Sequence, residues 1–316
     1  MARILGYTHP ACLAHDTGTG HPERAERLGA VLEAVHGAFP DLEWIEAPRA
    51  TRGQLLRVHD ERLLASVLSP APGGNLHLDP DTVRSPGSPE AALRAAGAGV
   101  AAVDAVMHGE ADVGFCAVRP PGHHATGDTA MGFCLFNNIA VAAAHALERF
   151  GLGRVAIVDF DVHHGNGTQA IFEHEPQVLY LSSHQSGIFP GSGAGSERGV
   201  GNLVNLPLPP GAGSQAFRRA WAGQLLPALD AFAPQLLLVS AGFDGDRRDP
   251  LAQVELEPAD FGWLTGELAR LAARHAQGRV VSMLEGGYHL QALQEGAVAQ
   301  VSSLRAAAAP GGATRP

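Results

Sequence analysis

The most chemically loaded stretch of the chain is residues 154–169, RVAIVDFDVHHGNGTQ. Its β-branched apolar run at 155–158 reads as a strand buried on both faces of a parallel sheet. Asp159, Asp161 and His163 follow at alternate positions. In an extended backbone they face one side, while Phe160, Val162 and His164 face the other. Two carboxylates and an imidazole at the mouth of a buried strand are costly to desolvate unless something compensates. A bound cation would do so, with Asp161 and His163 as ligands and Asp159 behind them. The bland alternative is a solvated acidic turn. Asp244, placed just after the apolar run 235–240, supplies a third ligand. Three protein ligands and an open fourth position are the arrangement of a catalytic rather than a structural zinc site, where the pKa of bound water falls toward ~7. The same donors also suit manganese or ferrous iron.

His123 and His124 follow a strand pattern at 113–118 and a rigid Pro-Pro-Gly turn. A histidine, with a pKa near ~6.5, can take a proton from an activated water and return it to a leaving amine. Asp159 is available to orient one imidazole and Asn166 the other. Tyr288 follows two glycines that permit close backbone approach, and it offers a phenol to a developing oxyanion. Taken singly, each has an ordinary reading: an incidental His pair, a turn aspartate in GFDGD, a surface tyrosine. Taken together, polar motifs at 123–124, 161–163, 182, 244 and 288 all follow apolar runs, which packing alone does not explain.

The elements that must position these groups alternate along the chain. Strands are expected at 3–7, 113–118, 155–158, 178–181, 235–240 and 279–284. Helices are expected at 25–35, 54–67, 90–108, 138–150, 168–173, 217–232, 259–275 and 290–307. A long surface loop is expected at 69–89, carrying Asp79 and Asp81, and a glycine-rich loop at 187–201 that lacks a phosphate-binding pattern. Strands separated by helices predict a single α/β domain over 1–307, a parallel β-sheet sandwiched by helices, with ligands bound outside the carboxyl ends of the strands. Residues 308–316 read as a disordered tail.

Composition narrows the function. The net charge of −10 argues against general affinity for nucleic acid. No lysine occurs, all 22 basic residues being arginine, so Schiff-base chemistry and a P-loop lysine are excluded. Cys12, Cys116 and Cys134 form no metal-knuckle pattern and read as reduced core residues. There is no run of 18 apolar residues and no basic-then-apolar start, so a cytoplasmic protein without membrane contact is expected.

Five motifs carry a resemblance. They are RPPGHHA at 119–125, GFCxFNN at 132–138, DxDxHHGNGTQ at 159–169, AGFD at 241–244 and EGGY at 285–288. Together they resemble zinc-dependent histone deacetylases, in the class II-like branch with bacterial deacetylase-like and acetylpolyamine amidohydrolases. The similarity spans His21-Pro22-Glu23 to Tyr288. It implies the arginase–deacetylase fold and one catalytic Zn2+ on Asp161, His163 and Asp244. It also implies that Zn2+ and Tyr288 polarise the amide carbonyl and that His124 serves as general base and then acid. His123 becomes an electrostatic partner held by Asp159. Asn166 stands where other branches carry aspartate. Gly132, Phe133 and Phe189 fall on the acyl tunnel and Leu251 at its rim, where Asp79, Asp81 or Glu197 could bring a carboxylate from other loops. A structural K+ near Asp159, Asp161, His163 and Ser182 is implied by the resemblance alone. The expected substrate is an acylated lysine in a peptide or protein, with an acetylated polyamine as the alternative. An inactive binding module of the same fold is more distant, as is a two-manganese ureohydrolase, whose DxHxD order differs from DxDxHH here. Oligomeric state is left open.

Overall fold

The apolar runs become strands, and the structure, a computed structural model, describes residues 1–69 and 74–306. In chain order the strands are β1 (Ile4–Thr8), β2 (Glu43–Glu46), β3 (Leu76–His77), β4 (Val83–Arg84), β5 (Val113–Cys116), β6 (Val155–Asp159), β7 (Val178–Gln185), β8 (Leu203–Leu208), β9 (Leu236–Ala241) and β10 (Val280–Leu284). Eight of them form one sheet in the order β2-β1-β5-β10-β9-β6-β7-β8. Every neighbouring pair in it is parallel. Strands β5, β6, β7, β9 and β10 are buried along their whole length, as near-continuous Val/Ile/Leu runs require when helices cover both faces.

This order explains why separate motifs can meet. The strands that precede the polar motifs, β5, β10, β9, β6 and β7, are five consecutive neighbours in the sheet. Register brings their ends level: Asp159 pairs with Ser240 on one side and Ser182 on the other, and Leu284 pairs with Ala241. The loops leaving these carboxyl ends therefore open onto one crevice.

Several expectations are corrected. Strands β2 and β8 lie at the two edges of the sheet; EWIE at 43–46 is too polar to signal a strand, and Pro207 within β8 is tolerated at an edge. The helical pattern at 54–67 is two helices, Arg52–Leu55 and Glu61–Leu68, because Asp60 caps a new start by accepting the Leu63 N–H. Residues 69–89 are not a surface loop throughout. Within the described part, β3 and β4 form an antiparallel hairpin, and Thr82 to Ser85 are buried. The guanidinium of Arg84 there donates to the carbonyls of Ser66 and Ser69. The helix at 217–232 begins at Ser214 and passes through a π-helical turn at Trp221–Leu225. No helix among the described residues is long and apolar enough to cross a membrane. The expected tail at 308–316 lies outside the described residues.

Candidate active site

Strand β6 ends at Asp159, and residues 161–163 turn rather than extend. Asp161 and His163 nevertheless converge, because the turn is pinned by its own carboxylates. Asp159 Oδ1 accepts the Asp161 N–H at 3.2 Å, and Asp161 Oδ1 accepts the His163 N–H at 2.9 Å. Asp244 arrives from the end of β9, its Oδ1 accepting the Val162 N–H at 2.9 Å. One ligand atom from each of Asp161, His163 and Asp244 lies within 4.8 Å of the others, and all three residues are buried. Gly242 and Gly286 make room, since a Cβ at either would run into the Asp161 carboxylate.

The donor set fits a dication. His163 Nδ1 stands 3.0 Å from Asp244 Oδ2 and 3.2 Å from Asp161 Oδ1. Burial raises the Asp244 carboxyl, helped by the Asp161 charge, to about 7. Burial works against a charged His163, yet Asp161 and Asp244 lift it to about 10. A positive centre is what these three groups require, and an ion can take the place of the imidazole proton.

The two expected histidines sit beside this cluster with different partners. His123 donates from Nδ1 to Asp159 Oδ2 at 3.0 Å, and Tyr180 donates its hydroxyl to the same oxygen at 3.0 Å. Burial opposes a charge on His123, but Asp159 and Asp161 raise it to about 10. His124 Nδ1 stands 2.8 Å from the amide oxygen of Asn166. An amide oxygen only accepts, so Nδ1 carries the proton and Nε2 is left with its lone pair. Burial, with the charges of His123 and His163, holds His124 well below its ordinary range. The two rings are 4.0 Å apart at their centres, which tightens that division.

Above the cluster lies a pocket lined by His124, His163, Tyr288, Gly132, Phe133, Phe189, Ile188, Leu251 and Asp81. Phe133 adopts φ 67, a strained value for a side chain of that size, and Thr82 Oγ1 fixes its N–H at 3.0 Å. Its ring is thereby set edge-on to His21, centres 4.8 Å apart, and to Tyr288 at 5.8 Å. Gly132, at φ 56, lets the wall close on His124 and Phe189. Burial pushes the Tyr288 phenol well above its usual value against the pull of Arg27, so it stands as a hydrogen-bond donor.

A histone deacetylase domain profile matches residues 21–304. The chain belongs to the histone deacetylase family. It is 46% identical over 295 residues to a histone deacetylase-like amidohydrolase of Pseudomonas aeruginosa, across 90% of this chain and 76% of that protein. It is 40% identical over 306 residues to the human polyamine deacetylase HDAC10, across 91% of this chain and 45% of that longer protein. The crystal structure of the HDA15 HD domain matches with a TM-score of 0.90 and 35% identity, over 96% of this chain and 89% of that one. The fold is thus the arginase–deacetylase fold, and the family chemistry is that of deacetylases, which are amide hydrolases.

The structure brings the expected site residues of this histone deacetylase family member to one crevice and adds others that sequence reasoning left without a role. Glu285 Oε2 accepts the N–H groups of Gly122 and His123 at 2.6 and 3.2 Å, tying the His-His turn to β10. Asp81 reaches the pocket from the hairpin at 76–84, and Ile188 joins its wall. Arg27, Glu23 and Arg119 form a buried ionic cluster behind Tyr288. Arg119 and Glu285 stand inside the quoted motifs, and Glu23 at the start of the span of similarity, which was their only signal.

Proposed function

We propose that the protein is a zinc-dependent amidohydrolase that removes an acetyl or other acyl group from the side-chain amine of acyl-lysine in peptides or proteins, in the cytoplasm. The observation that carries this reading is the buried Asp161–His163–Asp244 cluster at the floor of a pocket that also presents His124 and Tyr288. These three residues would hold the ion, which when bound supplies Lewis acidity to the scissile carbonyl and acidifies a water molecule. His124 accepts the proton of the attacking water at Nε2 as the new C–O bond forms. It returns that proton to the amine nitrogen as the C–N bond breaks. His123, charged against Asp159, steadies the negative charge that passes through the transition state. Tyr288 donates its hydroxyl to the carbonyl oxygen as charge collects there. Phe133 and Phe189 exclude water and align the methylene stem. Ser182, across the ladder from Asp159, stands beside the 159–163 turn, where a structural K+ on mostly backbone oxygens would bind. Residues 1–307 serve as one catalytic domain in this reading.

Tyr288→Phe tests the mechanism. Loss of one oxyanion donor is expected to lower turnover by ~10²–10³, about 3–4 kcal/mol, with zinc content unchanged. Activity within about threefold of wild type on an acetyl-lysine peptide removes Tyr288 from that role.

A second reading, hydrolysis of acetylated polyamines, is favoured by the Asp81 carboxylate at the mouth. Burial and the neighbouring Asp79 raise the Asp81 carboxyl from its ordinary value. Leu251 at the same mouth offers no charge and suits a methylene stem. Opposite charges ~4 Å apart attract by about 1–4 kcal/mol depending on screening. Acyl-lysine peptides should therefore be preferred over acetylspermidine, and Leu251→Glu should raise the relative kcat/KM for acetylpolyamines by ~5-fold or more. A panel of both substrate classes on zinc-reconstituted enzyme decides. If wild type prefers acetylspermidine and Leu251→Glu leaves the ratio unaltered, the polyamine reading replaces the peptide one.

A further inference from the structure

The turn that carries Tyr288 is gripped from two directions. From beneath, Arg27 donates from Nε to the Gly287 carbonyl at 2.5 Å and from Nη2 to the Glu285 carbonyl at 2.6 Å. From the other side comes Asp249. Its Oδ2 accepts the Tyr288 N–H at 2.6 Å and the His289 N–H at 3.3 Å, while its Oδ1 accepts the Leu251 N–H at 3.0 Å. Asp249 is only 6% exposed, so these bonds are shielded from competing water. Burial pushes its carboxyl up, and the three backbone N–H groups are the leading opposing influence. A buried carboxylate satisfied mainly by N–H groups from two separate loops acts as a clasp between them. One loop presents the phenol and the other presents Leu251, and both side chains line the same pocket.

We propose that Asp249 is a positioning residue for amide hydrolysis, fixing the Tyr288 turn against the Leu251 rim so that the phenol meets the carbonyl oxygen. The inference rests on the reading of Tyr288 as oxyanion donor. The bond to the Tyr288 N–H is the short one of the pair, and it acts on the residue whose hydroxyl must be placed. A displacement of about 1 Å at a reacting centre can cost ~10²-fold in rate. The clasp also means that the rim and the oxyanion donor do not move independently.

The test is Asp249→Asn, alone and combined with Tyr288→Phe, on zinc-loaded enzyme with an acetyl-lysine peptide. The substitution keeps the volume but turns one acceptor oxygen into a donor, so at least one N–H loses its partner. Asp249→Asn alone should lower kcat by ~10–100-fold with KM within about threefold. In the Tyr288→Phe background the same change should cost less than about threefold, because the group it positions is gone. A merely structural role predicts equal losses in both backgrounds, and that result overturns the proposal. Amide hydrogen exchange gives a readout free of activity. Residues 251 and 288–289 should exchange faster in Asp249→Asn while β10 does not, and unchanged exchange there also overturns it. If Tyr288→Phe alone is silent, the oxyanion reading has failed, and the exchange result alone then decides whether the clasp exists.

Discussion

Asp244→Ala is expected to lose both bound zinc and amidase activity. The wild-type cluster offers one imidazole and two carboxylates, so its charge matches a dication. Without Asp244, one carboxylate and one imidazole remain, which is too few protein ligands for a catalytic site of this kind. The same substitution frees the Val162 N–H, which Asp244 Oδ1 accepts at 2.9 Å, and so loosens the turn that carries His163. Metal analysis after dialysis, with turnover measured on the same sample, checks both losses. Full zinc occupancy in the variant would refute the assignment of Asp244 as a ligand. Thermal melting supplies a second readout. Binding to the folded state alone stabilises by mass action, so zinc should raise the melting temperature of wild type. It should leave that of Asp244→Ala unmoved.

How much of this was legible in the sequence depended on distance along the chain. Asp161 and His163 stand two apart beside an apolar run, which paired them through an extended-strand period; the backbone there turns instead, and the turn pinned by Asp159 and Asp161 is what brings them together. Asp244 was reachable because it too follows a buried run, and parallel strands of one sheet end on one side. The edge strands β2 and β8 were not legible, since half-exposed or proline-containing segments lack the signal of a buried strand. From the sequence, Asp81 is a long-loop residue that, like Asp79 or Glu197, could bring charge to the rim, with nothing to choose among the three. Its place at the pocket depends on a hairpin whose two-residue strands are too short for any periodicity. Leu251 rested on family resemblance, and the structure sets it at the pocket. The partners of Asp249 lie 2, 39 and 40 residues away, and no local pattern announces such a clasp.

The asymmetry of the two histidines shows what the Asn166 departure does. A carboxylate in that place would add a charge that raises the basicity of His124. The amide instead orients the ring by a 2.8 Å hydrogen bond and leaves it neutral, while Asp159 keeps His123 charged. Two adjacent imidazoles are thus pushed apart in basicity by one carboxylate and one amide, the pattern that separates acid–base roles within a site. Tyr180 and the Gly165 N–H, which the Tyr180 hydroxyl accepts at 3.1 Å, hold that arrangement in place.

Glu23→Gln is expected to destabilise the fold by about 3–5 kcal/mol at pH 7, the cost of stripping the partner from a buried charge. Glu23 has no solvent exposure. Its Oε1 accepts from Arg27 Nη1 at 2.9 Å and from Arg119 Nε at 2.6 Å, and its Oε2 from Arg119 Nη2 at 2.7 Å. Both arginines then brace backbone from distant segments: Arg27 the carbonyls of Glu285 and Gly287, Arg119 those of Cys12 and His15. Glutamine keeps the shape but removes the charge and turns an N–H toward a guanidinium. Burial by itself would raise the Glu23 carboxyl, yet Arg119 and Arg27 hold it down, from 4.5 to about 2. That difference is worth about 3 kcal/mol by linkage, in line with the mutational expectation. The sign follows from the depressed value. The folded state binds the proton less readily than the unfolded chain, so this stabilisation is complete above about 4.5 and lost as pH falls toward 2. Urea unfolding of wild type and Glu23→Gln should therefore show the widest gap at pH 7 and a narrowing gap below about pH 4.5. A gap under about 1 kcal/mol at pH 7, or one that does not change with acid, would mean that the buried ion cluster does not depend on Glu23 for its charge balance.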